Sequence, residues 1–430
     1  MPATAPAAVL ASLLLALPAV AQDPAQTSSG EPPATGQATL GLSQSPGVMG
    51  GSRLLGQTTR FDNTFNPAIG VTIDAMVEVS DMEDSANRYN RFRVRQMEFN
   101  AASRIDPIGW AFIDFSFNDV LTEQEAELEE AAFVMDRLLP GNFSLKGGDF
   151  LADFGKWNTI HPHDRPFYNE IGLYREFFGG ALFVQGAELH HWLGVGDVPV
   201  RWSVSLHSSA EGDDHDFGGH EEGAAAEPFG RRGFDNWGTH ARLTAQHDVS
   251  DNGYFQWGFS GFYSPRTLEF EAVEQPGGNV TTERSELRTA VGAVDLTYRN
   301  VDASKRTANT LSTELWFSDN EIPDDNTGSV TSDFHTGIWG FAQHDFSPFW
   351  SAGFYGSWAD HAESTSASGF LTGGDTTAER GVYVTWYLSE FNRLRFQVNH
   401  LNPGAGQDKA FVYAVQWTIT LGSHYHALDW

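Results

Sequence analysis

The sequence has no cysteine and, beyond its first 21 residues, no apolar run long enough to cross a membrane as a helix. Without cysteine the chain cannot be stabilised by disulfides, as many secreted proteins are. Basic residues are also scarce, because 26 Lys and Arg stand against 56 Asp and Glu, for a formal net charge of -30. This balance argues strongly against a nucleic-acid partner, since phosphate contacts need clustered Lys and Arg.

Catalytic signatures are missing as well. The chain contains no Gly-x-Ser-x-Gly, no His-Glu-x-x-His, no Walker loop and no cysteine nucleophile. We therefore expect neither an enzyme nor a bound cofactor.

What the chain does have is a repeated alternation of apolar and polar residues, clearest near its end. Side chains in a strand point to opposite faces in turn. One face of residues 410–421 is wholly apolar and the other small or polar; the apolar face consists of Phe411, Tyr413, Val415, Trp417, Ile419 and Leu421. Such a pattern, repeated along the chain, predicts a barrel with lipid outside and water inside.

Sixteen segments follow this pattern, and an even number is expected of a bacterial single-chain barrel. They are 68–80, 88–104, 108–119, 128–137, 143–154, 182–193, 200–208, 237–248, 253–264, 285–299, 305–318, 332–345, 349–361, 376–388, 392–401 and 410–421. We predict an all-β, transmembrane antiparallel barrel over residues 61–430. Short connections are assigned to the periplasmic side and long ones to the outside or the lumen.

The N-terminal part of the chain has a different composition. Residues 7–21 form an apolar run that ends in Ala-Val-Ala, which predicts a signal peptide over 1–21. Residues 22–60 are rich in Pro, Gly, Ser, Thr and Gln and predict a flexible periplasmic segment. Both predictions place the protein in a bacterial outer membrane.

The connection 155–181, after the fifth strand, is the most unusual. Connections of this length are usually functional. We predict that it folds inward and narrows the pore, although an ordered surface loop packed by its own aromatic residues is the alternative. Its candidate constriction residues are His161, His163, Asp164, Arg165, Glu170, Arg175 and Glu176.

The residues around this connection carry a family resemblance. The run Glu129-Glu130-Ala131-Ala132-Phe133-Val134, then Lys146-Gly147-Gly148-Asp149-Phe150 and Phe154-Gly155-Lys156-Trp157-Asn158, resembles the phosphate-selective porin O and P family of Gram-negative outer membranes. The resemblance implies a sixteen-stranded, usually trimeric diffusion channel with a constricting third loop. Family members that select phosphate have a basic pore, from which this acidic chain departs.

Arginines with a spacing of two predict a basic row on the pore wall, because Arg facing lipid is costly. The wall candidates are Arg91, Arg93, Arg95, Arg201, Arg393 and Arg395. The apolar residues change parity after Arg95, where Met97 and Phe99 continue, and this predicts a β-bulge. With carboxylates on the other side of the pore, this row would set up an electric field across the pore that orients polar solutes. The alternative is that the arginines only form salt bridges within the wall.

A segment rich in His and acidic residues lies in the connection 209–236. Its candidate metal ligands are Asp213, His215, Asp216 and His220. Imidazole and carboxylate are typical ligands of Zn²⁺-type ions. His161 and His163 are further imidazoles that could bind such an ion. A solvated acidic loop with incidental His is the alternative.

The sequence thus predicts a porin, a passive channel for small polar or ionic solutes that works without ATP. Its expected partners are outer-membrane lipid, lipopolysaccharide and two further copies of the chain, the last implied by the family resemblance. A metal-binding or metal-uptake protein of the outer membrane is the alternative function. Acidic loops and a basic wall row leave open whether anions or cations are favoured.

Overall fold

The computed structural model is a closed barrel of sixteen antiparallel strands. It describes residues 68–81, 90–105, 108–118, 125–139, 142–178, 180–212, 237–271, 282–323, 330–360, 376–389, 391–404 and 409–422. The predicted signal peptide and periplasmic segment lie outside these residues. Among the described residues no helix is long and apolar enough to span a membrane.

The predicted strand number is confirmed, and the bounds agree closely. The strands are β1 Ala68–Ser80, β2 Asn90–Arg104, β3 Gly109–Asn118, β4 Glu125–Leu139, β5 Phe143–Leu151, β6 Leu182–Val195, β7 Val198–Gly212, β8 Gly238–Ser250, β9 Gly253–Glu271, β10 Thr282–Asp302, β11 Thr307–Pro323, β12 Val330–Ser347, β13 Trp350–Asp360, β14 Thr376–Ser389, β15 Asn392–Asn402 and β16 Ala410–Gly422. The largest difference is at β9, which continues past the predicted end at 264.

Each strand pairs with its neighbours in sequence, and β1 pairs with β16 to close the barrel. The closing register runs from Gly70 opposite Gly422 to Ser80 opposite Val412. A closed sheet leaves no unpaired edge, which a strand in lipid requires. Rigidity therefore comes from backbone hydrogen bonds rather than disulfides.

The two faces of the strands are as the alternation predicted. On β16, Phe411, Tyr413 and Trp417 are exposed on the outer face, while Gln416 and Thr418 are buried inside. Outward Phe92 and Phe354 have more than half of their surface exposed. This apolar outer belt is the surface that lipid covers.

Two of the shifts in pairing register bring charged side chains of β2 and β4 to the inner face. Asp74 lies opposite Gln96 and Ala75 opposite Val94, so Arg95 is an extra residue in β2. The bulge predicted near Arg95 is thus present. A second shift, between β3 and β4, makes Glu129 an extra residue beside Glu130, and both are buried.

The connection between β5 and β6, residues 152–181, folds into the barrel as predicted; we call it the inner loop. It contains a 3-10 turn, Pro162–Asp164, and one short helix, α1, Gly172–Phe178. Its aromatic residues form one buried cluster with inward side chains of β11–β14. The alternative of an ordered surface loop is therefore wrong.

Candidate functional site

One buried carboxylate of the far wall, Glu314 on β11, organises the inner loop. It accepts hydrogen bonds from the Lys156 N–H at 2.6 Å and the Tyr174 hydroxyl at 3.1 Å. The indole N–H groups of Trp316 and Trp339 also donate to it, at 2.9 and 3.1 Å. Because a buried carboxylate needs donors, the loop and the wall fold against one another.

A glycine permits this close approach. Gly155 has a φ of 60°, in the left-handed region, and a Cβ there would lie 2.4 Å from the Tyr174 hydroxyl. Its N–H donates to Ser260 Oγ on β9 at 3.0 Å. The Phe-Gly at the end of the fifth strand segment is thus a structural requirement of the turn into the lumen.

Aromatic packing fills the space between the inner loop and strands β11–β14. Phe167 stacks on Tyr355 with ring centroids 4.5 Å apart, and Phe154 meets Trp316 edge to face at 5.1 Å. Such pairs add to the free energy of burial. The loop is consequently packed like a protein core on this side.

Next to this aromatic packing, polar contacts from β15 and β2 hold the loop. Arg395 donates to the Arg165 carbonyl at 2.7 Å, and Gln397 accepts from the Tyr168 N–H at 3.0 Å. Arg95 donates to the Tyr168 carbonyl. The loop therefore crosses the lumen and is fastened to the wall on several sides.

The seven candidate constriction residues divide into two groups. His161, His163, Asp164, Arg165 and Glu170 are buried in contacts between loop and wall. The side chains of Arg175 and Glu176 on α1 keep 28% and 16% of their surface exposed and lie 3.4 Å apart. Among the seven candidates, this pair has the most exposed side chains.

His161 lies among three carboxylates of the adjacent wall. Its Nδ1 is 3.3 Å from Glu98 and 3.4 Å from Glu129, and its Nε2 is 3.4 Å from Glu130. Burial opposes protonation of the ring, but Glu98 and the other carboxylates outweigh it and raise the pKa of His161 well above its usual range. This is the part of the inner loop whose side chains could hold a metal ion.

The arginines of β2 face inward and are paired within the wall. Arg93 donates to Glu78 at 3.0 Å, and Arg91 Nε lies 3.6 Å from the same carboxylate. Arg95 forms an ion pair with Asp74. These arginines thus lie on the inner face of β2, and carboxylates of the neighbouring strand β1 lie beside them.

Arg201 on β7 pairs with Asp153, the residue that leads into the inner loop. Arg242 of β8, not singled out in the sequence, lies 3.6 Å from the same carboxylate and 2.7 Å from Asp295. Burial opposes ionisation of Asp153, but these arginines lower its pKa to about 2. Arg393 is buried on the same inner face as Arg395.

The wall side of the site was not predicted from the sequence. Glu314, Trp316, Trp339 and Phe341 were not singled out, yet they carry the loop. The sequence does contain an indication of this side of the site. Trp339 and Phe341 lie on the same face of β12 as the polar residues Gln343 and Asp345. Large aromatic residues on the inner face indicate that something packs inside the barrel. The candidate ligands at 213–220 lie outside the described residues.

At the level of sequence, comparison with known proteins does not identify a family for this chain. No protein-family model matches the chain. An uncharacterized protein of Aquifex aeolicus is 30% identical over 120 residues, which is 28% of this chain and 24% of that protein. The match thus spans about a quarter of that relative's length.

Solved structures give the fold. A loop-deletion mutant of OmpT, an outer membrane protein of Vibrio cholerae, has a TM-score of 0.51 at 8% identity, over 84% of this chain and 100% of that one. OprB of Pseudomonas putida, at 9% identity, and the outer membrane channel DcaP of Acinetobacter baumannii, also at 9%, each have a TM-score of 0.51 over 83% of this chain; 94% and 96% of those chains are covered. The chain therefore has the fold of these outer-membrane proteins, a closed antiparallel β-barrel.

Proposed function

We propose that this protein is a porin, a channel through which small polar or ionic solutes diffuse passively across the outer membrane. The observation that carries the proposal is a closed barrel with an apolar outside, a charged inside and an inner loop fastened across the lumen. Single-channel recording in a planar bilayer tests it, and folded barrels that never conduct would overturn it. An adhesive or purely structural barrel would give that result.

The diffusion path through the lumen should be narrow. Aromatic packing of the inner loop against β11–β14 closes that side of the lumen, and five of the seven candidate constriction residues are buried. We assign the constriction to the partly exposed pair Arg175 and Glu176. A narrow, charged passage favours small solutes and a small conductance.

Cations should be favoured. The buried charged side chains of the described residues comprise fourteen carboxylates and nine Lys or Arg. The carboxylates are Asp74, Glu78, Glu98, Asp114, Glu129, Glu130, Asp153, Asp164, Glu170, Glu188, Asp295, Glu314, Asp345 and Glu379; the cations are Arg93, Arg95, Lys146, Arg165, Arg201, Arg242, Arg299, Arg393 and Arg395. This excess of carboxylates attracts cations and argues against phosphate as the cargo. In this respect the chain differs from the phosphate-selective members of the porin O and P family that it resembles.

Lipopolysaccharide is the proposed partner on the outer face. A groove there is lined by Gly340, Gly356 and Trp358 and bordered by Arg380, His400 and Lys409. Register sets Gly340, Gly356, Arg380 and His400 side by side on four adjacent strands. The groove lies toward the end with the long connections, so its cations can meet lipid phosphates while the glycines leave room for an acyl chain.

A homotrimer is the proposed assembly, and it rests on the family resemblance. Mass photometry of the protein in detergent should give three chains per particle. A particle of one chain would remove this part of the proposal and leave the channel itself untouched.

A further inference from the structure

Four carboxylates and two imidazoles meet where the inner loop contacts strands β2, β3 and β4. They are Glu98, Asp114, Glu129, Glu130, His161 and His163, and each has less than a tenth of its surface exposed. We call this group the acidic cluster. It shares no residue with the pair Arg175 and Glu176 that we assign to the constriction.

Strand register brings the carboxylates together. Asp114 on β3 lies directly opposite Glu130 on β4, and opposite Asn100 on β2. The extra residue in β2 turns Glu98 inward, and the extra residue in β4 adds Glu129 beside Glu130. Two β-bulges thus concentrate negative charge at one place, as bulges often do at functional sites.

His161 is placed so that both ring nitrogens face carboxylates. One ligand atom each from Glu98, Glu129 and His161 lies within 4.8 Å of the others, and the same holds for Asp114, Glu130 and His161. Metal bonds of about 2.0–2.2 Å to nitrogen and oxygen need only small side-chain shifts from such spacings.

The cluster contains carboxylate oxygens without a donor. Asp114 is fully buried, and neither of its oxygens has a hydrogen-bond partner among the described residues. Glu129 accepts from Gln96 through Oε1 at 2.8 Å, and its Oε2 lies 3.4 Å from His161 Nδ1. An ionised carboxylate buried in this way is strongly unfavourable unless a cation offsets it.

We propose that the acidic cluster binds one divalent transition-metal ion, with His161 and the surrounding carboxylates as ligands, and that this ion fastens the inner loop to β2–β4. Imidazole together with carboxylate selects ions such as Mn²⁺, Fe²⁺ or Zn²⁺, whereas Ca²⁺ and Mg²⁺ prefer oxygen alone. A divalent ion offsets the charge of two carboxylates. The inference does not depend on whether the barrel conducts.

Binding of Mn²⁺ to the purified, folded full-length protein tests the site. After EDTA treatment and its removal, free Mn²⁺ is measured by electron paramagnetic resonance during titration. We expect about one bound Mn²⁺ per chain. The double variant Asp114→Asn/Glu129→Gln, which keeps side-chain size, should bind at least tenfold more weakly.

A matched control is Glu379→Gln, which removes a buried carboxylate of β14 that hydrogen-bonds with Tyr355 at 2.6 Å, away from the acidic cluster. This variant should bind Mn²⁺ like the unaltered chain. All variants must show the heat-dependent gel mobility of a folded barrel.

A second measurement needs no variant. Electron spin-echo modulation of the Mn²⁺ complex should show coupling to a ¹⁴N nucleus, the signature of the His161 imidazole. Less than a tenth of an ion per chain in the unaltered folded protein overturns the proposal. Undiminished binding in the double variant, or a complex without nitrogen coupling, also overturns it, because the ion then lies elsewhere.

Discussion

The hydroxyl of Tyr174 on α1 lies 3.1 Å from Glu314 Oε2 on β11, and the Glu314 carboxylate also accepts from two wall tryptophans. A single buried carboxylate therefore connects the middle of the inner loop to the far side of the barrel. The position of the loop, and with it the shape of the passage, depends on this contact.

Tyr174→Phe should loosen the inner loop. The change keeps the ring and removes the hydroxyl that donates to a charged acceptor. This should lower the free energy of unfolding by about 1.5–3 kcal/mol. We expect a lower thermal unfolding temperature and more current noise in single channels. Tyr263→Phe, on the outer face, is the control and should leave both unchanged. Equal noise and stability in the two variants would show that Tyr174 does not hold the loop.

Replacing Arg91, Arg93 and Arg95 with Gln should increase cation selectivity. The change removes the arginine partners of Glu78 and Asp74, so the interior becomes more negative. The reversal potential in a salt gradient measures this shift. Arg306→Gln, in an exposed turn, is the control. An unchanged reversal potential in the triple variant would mean that the row on β2 has no part in selectivity.

Acid should break the ion pairs of Asp153, at the start of the inner loop, only at very low pH. The pKa of Asp153 is lowered to about 2, so its contribution is complete above about pH 4 and is lost as the pH falls through 2. A shift of this size corresponds to about 2 kcal/mol. Thermal unfolding between pH 7 and pH 2.5 measures the profile.

Arg201→Gln removes one of the two arginines beside Asp153. It should lower stability at pH 7 and move the acid-induced loss to higher pH. The control is Arg288→Gln, whose partner Glu321 is near the surface. Coincident profiles for Arg201→Gln and the unaltered protein would contradict the assigned role of this pair.

Filling the outer groove should reduce the lipopolysaccharide that copurifies with the barrel. A Cβ on Gly356 has room, with its nearest neighbour at 3.7 Å, so Gly356→Leu can extend from this position into the groove. We expect a several-fold fall in lipid A phosphate per chain. Gly194→Leu, also at an open position, is the control. Equal lipid in both variants would place the lipopolysaccharide elsewhere.

The strands were predictable because alternation reports directly which face meets lipid. The sixteen segments, the bulge at Arg95 and the inward fold of residues 155–181 all followed from local pattern and composition. The inward faces of β11 and β12 were readable in the same way, since Trp316, Trp339 and Phe341 interrupt a polar face.

The acidic cluster was not predictable in the same way. It depends on the register between β2, β3 and β4, and on an extra residue at Glu129 that no period-two pattern reveals. The sequence placed the histidines of the inner loop on the pore, whereas packing turned His161 and His163 toward the wall. Contacts between residues far apart in sequence decide such questions, and they require the folded barrel.

Single-channel recording of the purified barrel in a planar bilayer, under a salt gradient, tests the central proposal most directly. We predict stable, small current steps and a reversal potential whose sign shows a preference for cations. Barrels with the gel mobility of the folded state that give no steps would contradict the channel, and an anion-selective potential would contradict the role of the interior carboxylates.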